Sequence, residues 1–221
     1  MGRTKKKQNV SSAPAGKRAL NKDKTRRQIL EAALQLFSTK GFYAATTKEI
    51  SRKARIAEGT LFNYFKTKED LALYFFEQEL SGLIEWFSGQ GRLRKAELPE
   101  KLFAIIHRHL DRISPYEEFI GAVYLRALQP VSKLSPLSLD SQELSLRYLR
   151  FIRDILAEAE SKEEIPPLGD LGAYGFGIFH MAIISYWLND LSPAKQNTLA
   201  LLDRGLRMAK AVLNQQGGWQ W

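Results

Sequence analysis

The side chains best suited to molecular recognition lie close together in this sequence, between Glu58 and Tyr64. The Asn63 amide matches the N6 and N7 atoms of adenine, and Thr60 can bond a base or a phosphate and contact a thymine methyl group. Tyr64 can extend its hydroxyl to a phosphate. Presented together on one exposed surface, these groups would contact the edges of base pairs and the backbone of DNA.

The neighbouring segments supply the framework that such a surface needs. Thr46 and Glu49 have the spacing of a capping box, which predicts a short helix that continues to about Ala54. After a turn of three residues, a second short helix over Glu58–Tyr64 would turn Leu61 inward. This pattern predicts a helix-turn-helix, whose second helix enters the major groove of DNA.

Nine residues of this region are predicted to contact DNA. Phe62 points outward if Leu61 and Phe65 point inward, so its ring can contact a thymine methyl group or a sugar. Lys68 is placed at the start of the next helix, which Thr67 and Asp70 are spaced to cap. Each cation could equally be solvated surface, Asn63 an exposed amide, and Tyr64 part of the core. The full set is Thr47, Lys48, Arg55, Gly59, Thr60, Phe62, Asn63, Tyr64 and Lys68.

The formal charge of +9 is concentrated at the N-terminus. Residues 1–70 hold 17 basic and 6 acidic side chains, whereas the remainder holds 16 basic and 18 acidic. A polyanion-binding domain joined to a nearly neutral one explains this asymmetry better than a uniformly solvated surface does. Residues 1–21 are polar, basic and aperiodic, which predicts a disordered tail or a basic arm that touches phosphate or the minor groove.

The whole sequence predicts an all-α fold of about nine helices. Leu, Ala, Lys, Arg and Glu recur at helical spacing, and runs of alternating Val, Ile and Thr are missing. Pro99, Pro115 and Pro193 are placed where helices would start. We divide the chain into a tail over residues 1–21, a helix-turn-helix domain over 22–67, and a larger helical domain over 68–221, for which the family resemblance described next implies ligand binding and dimerisation.

The segment from Arg27 to Leu71 resembles the DNA-binding domain of the TetR (tetracycline-repressor-like) family of bacterial regulators. The resemblance implies a homodimer that binds double-stranded DNA at a pseudo-palindromic operator, and a C-terminal domain that binds a small-molecule effector. The family often has glycine in the turn, where Arg55 and Ile56 stand here, and often tyrosine at the position of Phe62. The matching residues are Ile29, Leu30, Ala32, Ala33, Leu36, Phe37, Gly41, Phe42, Thr46, Thr47, Ile50, Gly59, Thr60, Leu61 and Tyr64 to Leu71.

Two features of the C-terminal half could serve these implied roles. A seam for helix packing is either intramolecular core or, with the helix before it, part of a four-helix dimer interface; it consists of Leu199, Leu202, Leu206, Ala209 and Leu213. Polar residues among the aromatic middle helices predict a mainly apolar pocket with a few polar anchors. Its expected lining is Phe103, His107, Tyr124, Arg126, Tyr148, Phe176 and His180.

The sequence therefore predicts a DNA-binding transcriptional regulator, a repressor that a hydrophobic or amphipathic ligand releases from its operator. A ligand-independent or activating DNA-binding protein of the same fold is the alternative. An enzyme is not favoured, because the sequence has no G-x-S-x-G, phosphate-binding loop or H-E-x-x-H motif. His107 and His109 are two residues apart and face different sides of a helix, so no metal site or cofactor is expected.

Composition also bears on the cellular setting. With 0 cysteines, the chain can form neither a disulfide nor a thiolate metal site. It has no run of about 18 uncharged apolar residues that would predict a membrane span, and its basic N-terminus lacks the apolar segment of a secretory signal. We expect a cytoplasmic protein associated with the bacterial nucleoid.

Overall fold

A computed structural model describes the backbone of residues 14–216 and the side chains of residues 19–214. Over this range the chain forms nine α-helices and no strand, which confirms the predicted all-α fold. The helices are α1 (Pro14–Lys40), α2 (Thr47–Lys53), α3 (Glu58–Tyr64), α4 (Lys68–Gly89), α5 (Leu98–Ile113), α6 (Glu117–Ala127), α7 (Gln142–Ser161), α8 (Gly169–Asn189) and α9 (Gln196–Gln216).

Both predicted capping boxes are formed. The Thr46 hydroxyl accepts from the Glu49 backbone N–H while the Glu49 carboxylate accepts from the Thr46 N–H, at the start of α2. Thr67 and Asp70 make the same reciprocal pair at the start of α4. Each box satisfies N–H groups that a helix start leaves without an intrahelical partner, so these two boundaries follow from four residues.

The first helix is longer than its sequence pattern predicts. It begins at Pro14 rather than at Lys22, so residues 14–21 of the predicted disordered tail are helical. Once packing of Ile29 and Leu30 has nucleated the helix, the preceding Ala, Lys, Arg and Leu residues extend it at little cost. Residues 1–13, the rest of the predicted tail, lie outside the described residues.

Aromatic packing joins the helix-turn-helix to the rest of the chain. Phe37 of α1 stacks on Phe119 of α6 with ring centroids 5.0 Å apart, and Phe119 also contacts Phe75 of α4 at 5.4 Å. All three side chains are almost fully buried. The three-helix unit and the larger helical region therefore share one apolar core, with α6 placed between them.

The helix α8 occupies the middle of the larger region, packed against α7, α9 and α6. Among the described residues it is the one helix long and apolar enough to cross a membrane by length and composition, with a third of its apolar window buried. The predicted seam on α9 is intramolecular at its centre, because Leu202 and Leu206 are buried within the chain. At these two residues the seam is therefore intramolecular core, which is one of the two alternatives that the sequence left open.

Candidate DNA interface and effector site

The turn between α2 and α3 is held in a conformation that L-residues rarely adopt. Arg55 has φ of +54°, in the left-handed region that favours glycine. Contacts on both sides fix it: the Ile56 N–H donates to the Ser51 carbonyl at 3.0 Å, and Gln28 of α1 donates to the Ala54 carbonyl at 2.6 Å. The strain explains why glycine suits this position, and the side chain of Arg55 is directed into solvent as an exposed cation.

The short helix α3 buries one face and exposes the other. Leu61 and Phe65 are buried at 1% and 3% exposure, whereas Gly59, Phe62 and Asn63 are exposed. Thr60 and Tyr64 are half-buried between these faces. The structure thus brings the predicted base-reading residues onto one surface, and an exposed phenylalanine stands beside the Asn63 amide on it.

The start of α2 adds a smaller polar contact to this surface. The Thr47 hydroxyl donates to the Glu58 carboxylate at 3.0 Å, which ties the first turn of α2 to the first turn of α3. This bond gives Glu58 a structural partner and occupies the Thr47 hydroxyl. Lys48, next to Thr47, is exposed.

The predicted phosphate contact by Lys68 is wrong for this structure. Its ammonium donates to the backbone carbonyls of Phe42, Tyr43 and Ala45 at 2.7, 3.0 and 3.0 Å. An ammonium has three N–H donors, so all of them are used inside the protein. Burial lowers the pKa of Lys68, and the carbonyls of the loop between α1 and α2 solvate the charge in place of water. Lys68 fastens this loop to the start of α4.

A chain of three polar side chains, with His180 buried and Tyr148 and His109 half-buried, links three helices of the larger region. The Tyr148 hydroxyl lies 2.8 Å from Nδ1 of His180, and Nε2 of His180 lies 3.0 Å from Nδ1 of His109. Both contacts are satisfied when Tyr148 donates to His180 and His180 donates to His109. These residues come from α7, α8 and α5, and we call them the histidine cluster.

Burial keeps the histidine cluster uncharged. It lowers the pKa of His109 to about 4 and that of His180 well below its ordinary value of 6.5. The nearby Arg112 guanidinium, held by Glu79 through two hydrogen bonds of 2.6 and 2.9 Å, lowers the pKa of His109 further. Burial also raises the pKa of Tyr148, so its hydroxyl stays protonated and can donate.

An open groove of about 850 Å³ lies on the outside of the same region, between α5 and α9. Its apolar wall includes Phe103 and Leu206. The charged groups on its rim pair with each other, Lys210 with Glu97 at 2.8 Å and Arg207 with Asp203 at 3.0 Å. The rim therefore presents no strong excess of positive or negative charge to a ligand.

Comparison with known proteins identifies both halves of the chain. The family model for bacterial regulatory proteins of the tetR family matches residues 29–75. The model for the tetracyclin repressor-like C-terminal domain matches residues 101–218. The chain belongs to the TetR family. Proteins of this family are DNA-binding transcriptional regulators, which confirms the function class predicted from the sequence.

The similarity to individual TetR-family proteins extends over most of the chain. The fatty acid metabolism regulator protein of Bacillus subtilis is 26% identical over 186 residues, covering 81% of this chain and 94% of the relative. The crystal structure of FadR from Bacillus subtilis in complex with stearoyl-CoA superposes with a TM-score of 0.63 at 24% identity, over 81% of this chain and 98% of that one. Thermus thermophilus FadR in complex with lauroyl-CoA has a TM-score of 0.60 at 23% identity, over 80% and 92%.

The predicted effector residues of this TetR-family protein do not form one site. Tyr148, Phe176 and His180 lie together, with the Phe176 and His180 ring centroids 6.2 Å apart. Phe103 and His107 lie elsewhere, stacked at 5.8 Å near the groove, and His107 pairs with Asp111 at 3.4 Å.

Two other predicted lining residues hold helices together. The Tyr124 hydroxyl donates to the Met181 carbonyl at 3.3 Å, which connects α6 to α8. Arg126 donates to the Glu69 carboxylate at 2.8 Å, which connects α6 to the first turn of α4. In this structure the polar groups of both side chains are therefore engaged in bonds between helices.

Sequence reasoning missed His109, although its spacing carried the necessary signal. Leu102, Ile105, Ile106 and Ile113 form the buried face of α5, and His109 lies three residues after Ile106 and four before Ile113. His107 is polar among apolar neighbours, which favours it as a pocket residue, but helical periodicity places it on the solvent side.

We expect replacement of Lys68 by Met to destabilise the fold and leave the electrostatics of DNA binding unchanged. The loop carbonyls of Phe42, Tyr43 and Ala45 would lose their donor, so the free energy of unfolding should fall by about 1–3 kcal/mol. Chemical denaturation measures this loss. Lys66→Met, at an exposed lysine two residues earlier, should change it by less than about 0.5 kcal/mol. A stable Lys68→Met protein with a reduced salt dependence of DNA binding would contradict the structural role.

We expect the histidine cluster to make stability depend on pH between about 6.5 and 4. The folded protein keeps His109 and His180 neutral while the unfolded chain protonates histidine below 6.5, so the unfolded state binds more protons in this window. Stability is fully present above 6.5 and declines as the pH falls, by up to about 1.4 kcal/mol per pH unit for each proton. Denaturation midpoints at successive pH values measure the slope.

The variants His109→Gln and His107→Gln separate this effect from general acid unfolding. His109→Gln should flatten the decline between pH 6.5 and 4, because glutamine does not titrate. His107→Gln should leave it unchanged, because His107 is at the surface. Equal slopes in both variants would show that the cluster does not cause the decline.

Proposed function

We propose that this TetR-family protein represses transcription and is released from its operator by a long-chain fatty acyl-CoA. We infer the class of effector from the similarity to the Bacillus subtilis fatty acid metabolism regulator protein. This similarity spans 94% of that relative. Two similar structures hold stearoyl-CoA and lauroyl-CoA. An acyl thioester is an amphipathic ligand, the kind that the sequence favours.

The exposed face of α3 supports sequence-specific recognition of the operator. Asn63 is the base-reading residue in this proposal, with Thr60 and Phe62 beside it on the same face. The helix has 7 residues and needs close approach to reach base edges; Gly59 faces open space and carries no side chain that would hold the backbone away from DNA. Lys48 and Arg55, both exposed, are the proposed phosphate contacts. Domain boundaries near residues 22, 67 and 68 are part of the proposal.

A homodimer is the assembly that supports this function best. The helix α8 exposes Leu171 and Ile178 at 81% and 73%, and α9 exposes Met208 and Val212 at 68% and 48%. Each pair repeats at helical spacing, so each helix presents an apolar stripe that a second copy of the chain would cover. The dimer would hold two recognition helices for two half-sites, separated by about one turn of DNA or a multiple. We place this assembly in the bacterial cytoplasm, on the nucleoid.

We expect Asn63→Ala to weaken operator binding and spare binding to random DNA. Loss of a bidentate contact to a base costs roughly 1–3 kcal/mol, whereas the phosphate contacts remain. The operator is first obtained by genome-wide selection of bound fragments. Titration of the variant against operator and scrambled duplexes at several salt concentrations then measures both affinities.

The variant Lys48→Gln provides the matched control for the reading of bases. It should weaken both duplexes alike and lower the salt slope by about one ion per chain. If Asn63→Ala behaved in the same way, Asn63 would be a positioning residue, and base reading would fall to Thr60 and Phe62.

Footprinting of the wild-type complex should protect two half-sites, and protection of a single half-site by one chain would contradict the dimer.

The histidine cluster supplies polar groups that a thioester carbonyl needs inside an apolar binding site. Tyr148 and His180 can donate hydrogen bonds, Phe151 and Phe176 provide aromatic surface on the same two helices, and Phe87 of α4 packs against Phe151 with ring centroids 5.6 Å apart. We place the acyl thioester at this cluster. Binding there would separate α7 and α8, and the Tyr124 and Arg126 contacts of α6 would carry the change to the start of α4.

We expect stearoyl-CoA to dissociate the operator complex, whereas CoA alone at the same concentration should not. Coupling of this kind amounts to about 1–3 kcal/mol between the ligand and DNA sites. In Tyr148→Phe, which keeps the ring and removes the donor, about tenfold more stearoyl-CoA should be needed for release. Its operator affinity without ligand should equal that of the wild type. Fluorescence anisotropy of labelled operator measures both quantities.

Two results would overturn parts of this proposal. If no acyl-CoA with an acyl chain of 12 to 18 carbons changed operator affinity, the proposed effector class would be wrong. Only the operator-binding part of the proposal would then remain. If Tyr148→Phe responded to stearoyl-CoA as the wild type does, the ligand would bind elsewhere, and the groove between α5 and α9 would be the next site to test.

A further inference from the structure

Glu58 is an acidic residue in the domain that we propose to bind DNA. Four acidic residues lie between Thr46 and Asp70, and Glu58 is the one without an ion pair among the described side chains. The other three each pair with a cation: Glu49 with Lys40, Glu69 with Arg126, and Asp70 with Lys133. A carboxylate with no cation beside it repels phosphate, so it weakens the attraction to DNA of any sequence.

The position of Glu58 places it beside the exposed face of α3. It is the first residue of this helix and lies four residues before Phe62, so the two side chains share one side of the helix. Phe62 and Gly59 are exposed, Glu58 is half-buried, and Leu61 and Phe65 point into the core. In a helix-turn-helix, the N-terminal residues of the second helix are the ones that contact base edges. The Glu58 carboxylate therefore lies where a base edge would be read.

One oxygen of this carboxylate is fixed and the other is open. The Thr47 hydroxyl donates to Oε1 of Glu58 at 3.0 Å, which ties the side chain to the first turn of α2. Among the described residues Oε2 accepts no hydrogen bond, and it is not enclosed by the protein, so a ligand can reach it. An ionised carboxylate accepts hydrogen bonds and donates none. Glu58 thus presents a fixed acceptor at the start of α3.

The base edges in the major groove differ in how well they suit such an acceptor. Guanine presents two acceptors, thymine presents an acceptor and a methyl group, and adenine places its N7 acceptor beside its N6 donor. Cytosine presents the N4 amino donor and no acceptor on its own edge. A carboxylate is therefore repelled by guanine and thymine, is less suited to adenine, and is matched by cytosine.

We propose that Glu58 reads a cytosine in each half-site of the operator, with Thr47 as the positioning residue that holds its carboxylate. This contact rests on the proposed operator binding and adds a second base to the one assigned to Asn63. On DNA that lacks the cytosine, the carboxylate gains no hydrogen bond and still repels the phosphates. Glu58 therefore widens the difference in affinity between the operator and random DNA from both directions.

The variant Glu58→Gln tests this contact because it removes the charge and keeps an amide oxygen for the Thr47 hydroxyl. Glu31→Gln is the matched control. Glu31 is an exposed acid on α1 that lines a groove together with Tyr116, which lies between α5 and α6. Each full-length protein is titrated against the selected operator, against operators in which one base pair at a time is replaced, and against a scrambled duplex.

For the wild type, replacement of the cytosine should weaken binding about tenfold or more. In Glu58→Gln this preference should fall to within about threefold, while the preferences at other positions remain. Its affinity for the scrambled duplex should rise about twofold to threefold, because a charge that repels phosphate is gone. Glu31→Gln should match the wild type on every duplex. Thr47→Val, which removes the hydroxyl, should lose part of the preference at the same base pair.

Three results would overturn the reading of cytosine by Glu58. Unchanged base preferences in Glu58→Gln would place the carboxylate outside the groove. A uniform loss of affinity at all positions would reduce Glu58 to a residue that stabilises α3. Loss of the preference at an A·T pair would exclude cytosine. A wild type that does not distinguish the operator from the scrambled duplex would overturn the proposed function as well, whereas the three variant results leave the proposed function intact.

Discussion

The first turn of α4 is the constraint on which the arrangement of this protein depends. Its three leading residues each hold a different part of the chain. Lys68 binds three carbonyls of the loop between α1 and α2, Glu69 pairs with Arg126 of α6, and Asp70 caps the helix while accepting from Lys133. Opposite charges on neighbouring residues thus join the helix-turn-helix, α4 and α6 at one point. A movement of α4 would shift the helix-turn-helix, because the loop between α1 and α2 is bonded to the first turn of α4.

The helix α6 completes the connection between the two functional regions. It packs Phe119 against Phe37 of α1, bonds Glu69 through Arg126, and contacts α8 through Tyr124. Because close-packed interiors transmit displacements rather than absorb them, a ligand that separates α7 and α8 would displace α6 as well. The histidine cluster lies within this packing, where each hydrogen bond is costly to break without replacement. A ligand able to accept those bonds would meet less resistance than a purely apolar one.

The central helix α8 carries large apolar residues on both its buried side and its exposed side. Its buried side carries His180 and Trp187 into the core, while its exposed side leaves Leu171 and Ile178 to solvent. By length and composition alone it is also apolar enough for a membrane span. The cover that we propose for its exposed side is a second copy of the chain, since α9 continues the apolar stripe with Met208 and Val212.

The sequence by itself determined the starts of α2 and α4 and which side of α3 faces outward, because both depend on local chemistry. Capping boxes place helix starts through contacts within four residues, and the spacing of Leu61 and Phe65 fixes which side of α3 faces outward. The spacing of the buried residues on α5 also places His109 on the side that faces the core. Only the tertiary structure decided the roles of Lys68, Arg126 and Leu202. Their partners lie 23 or more residues away or on other helices, and an exposed cation and a buried one have the same letter in a sequence. Contacts between distant segments bond the Lys68 ammonium to backbone carbonyls and not to a phosphate. They also bury Leu202 in the core of its own chain and not at a dimer interface.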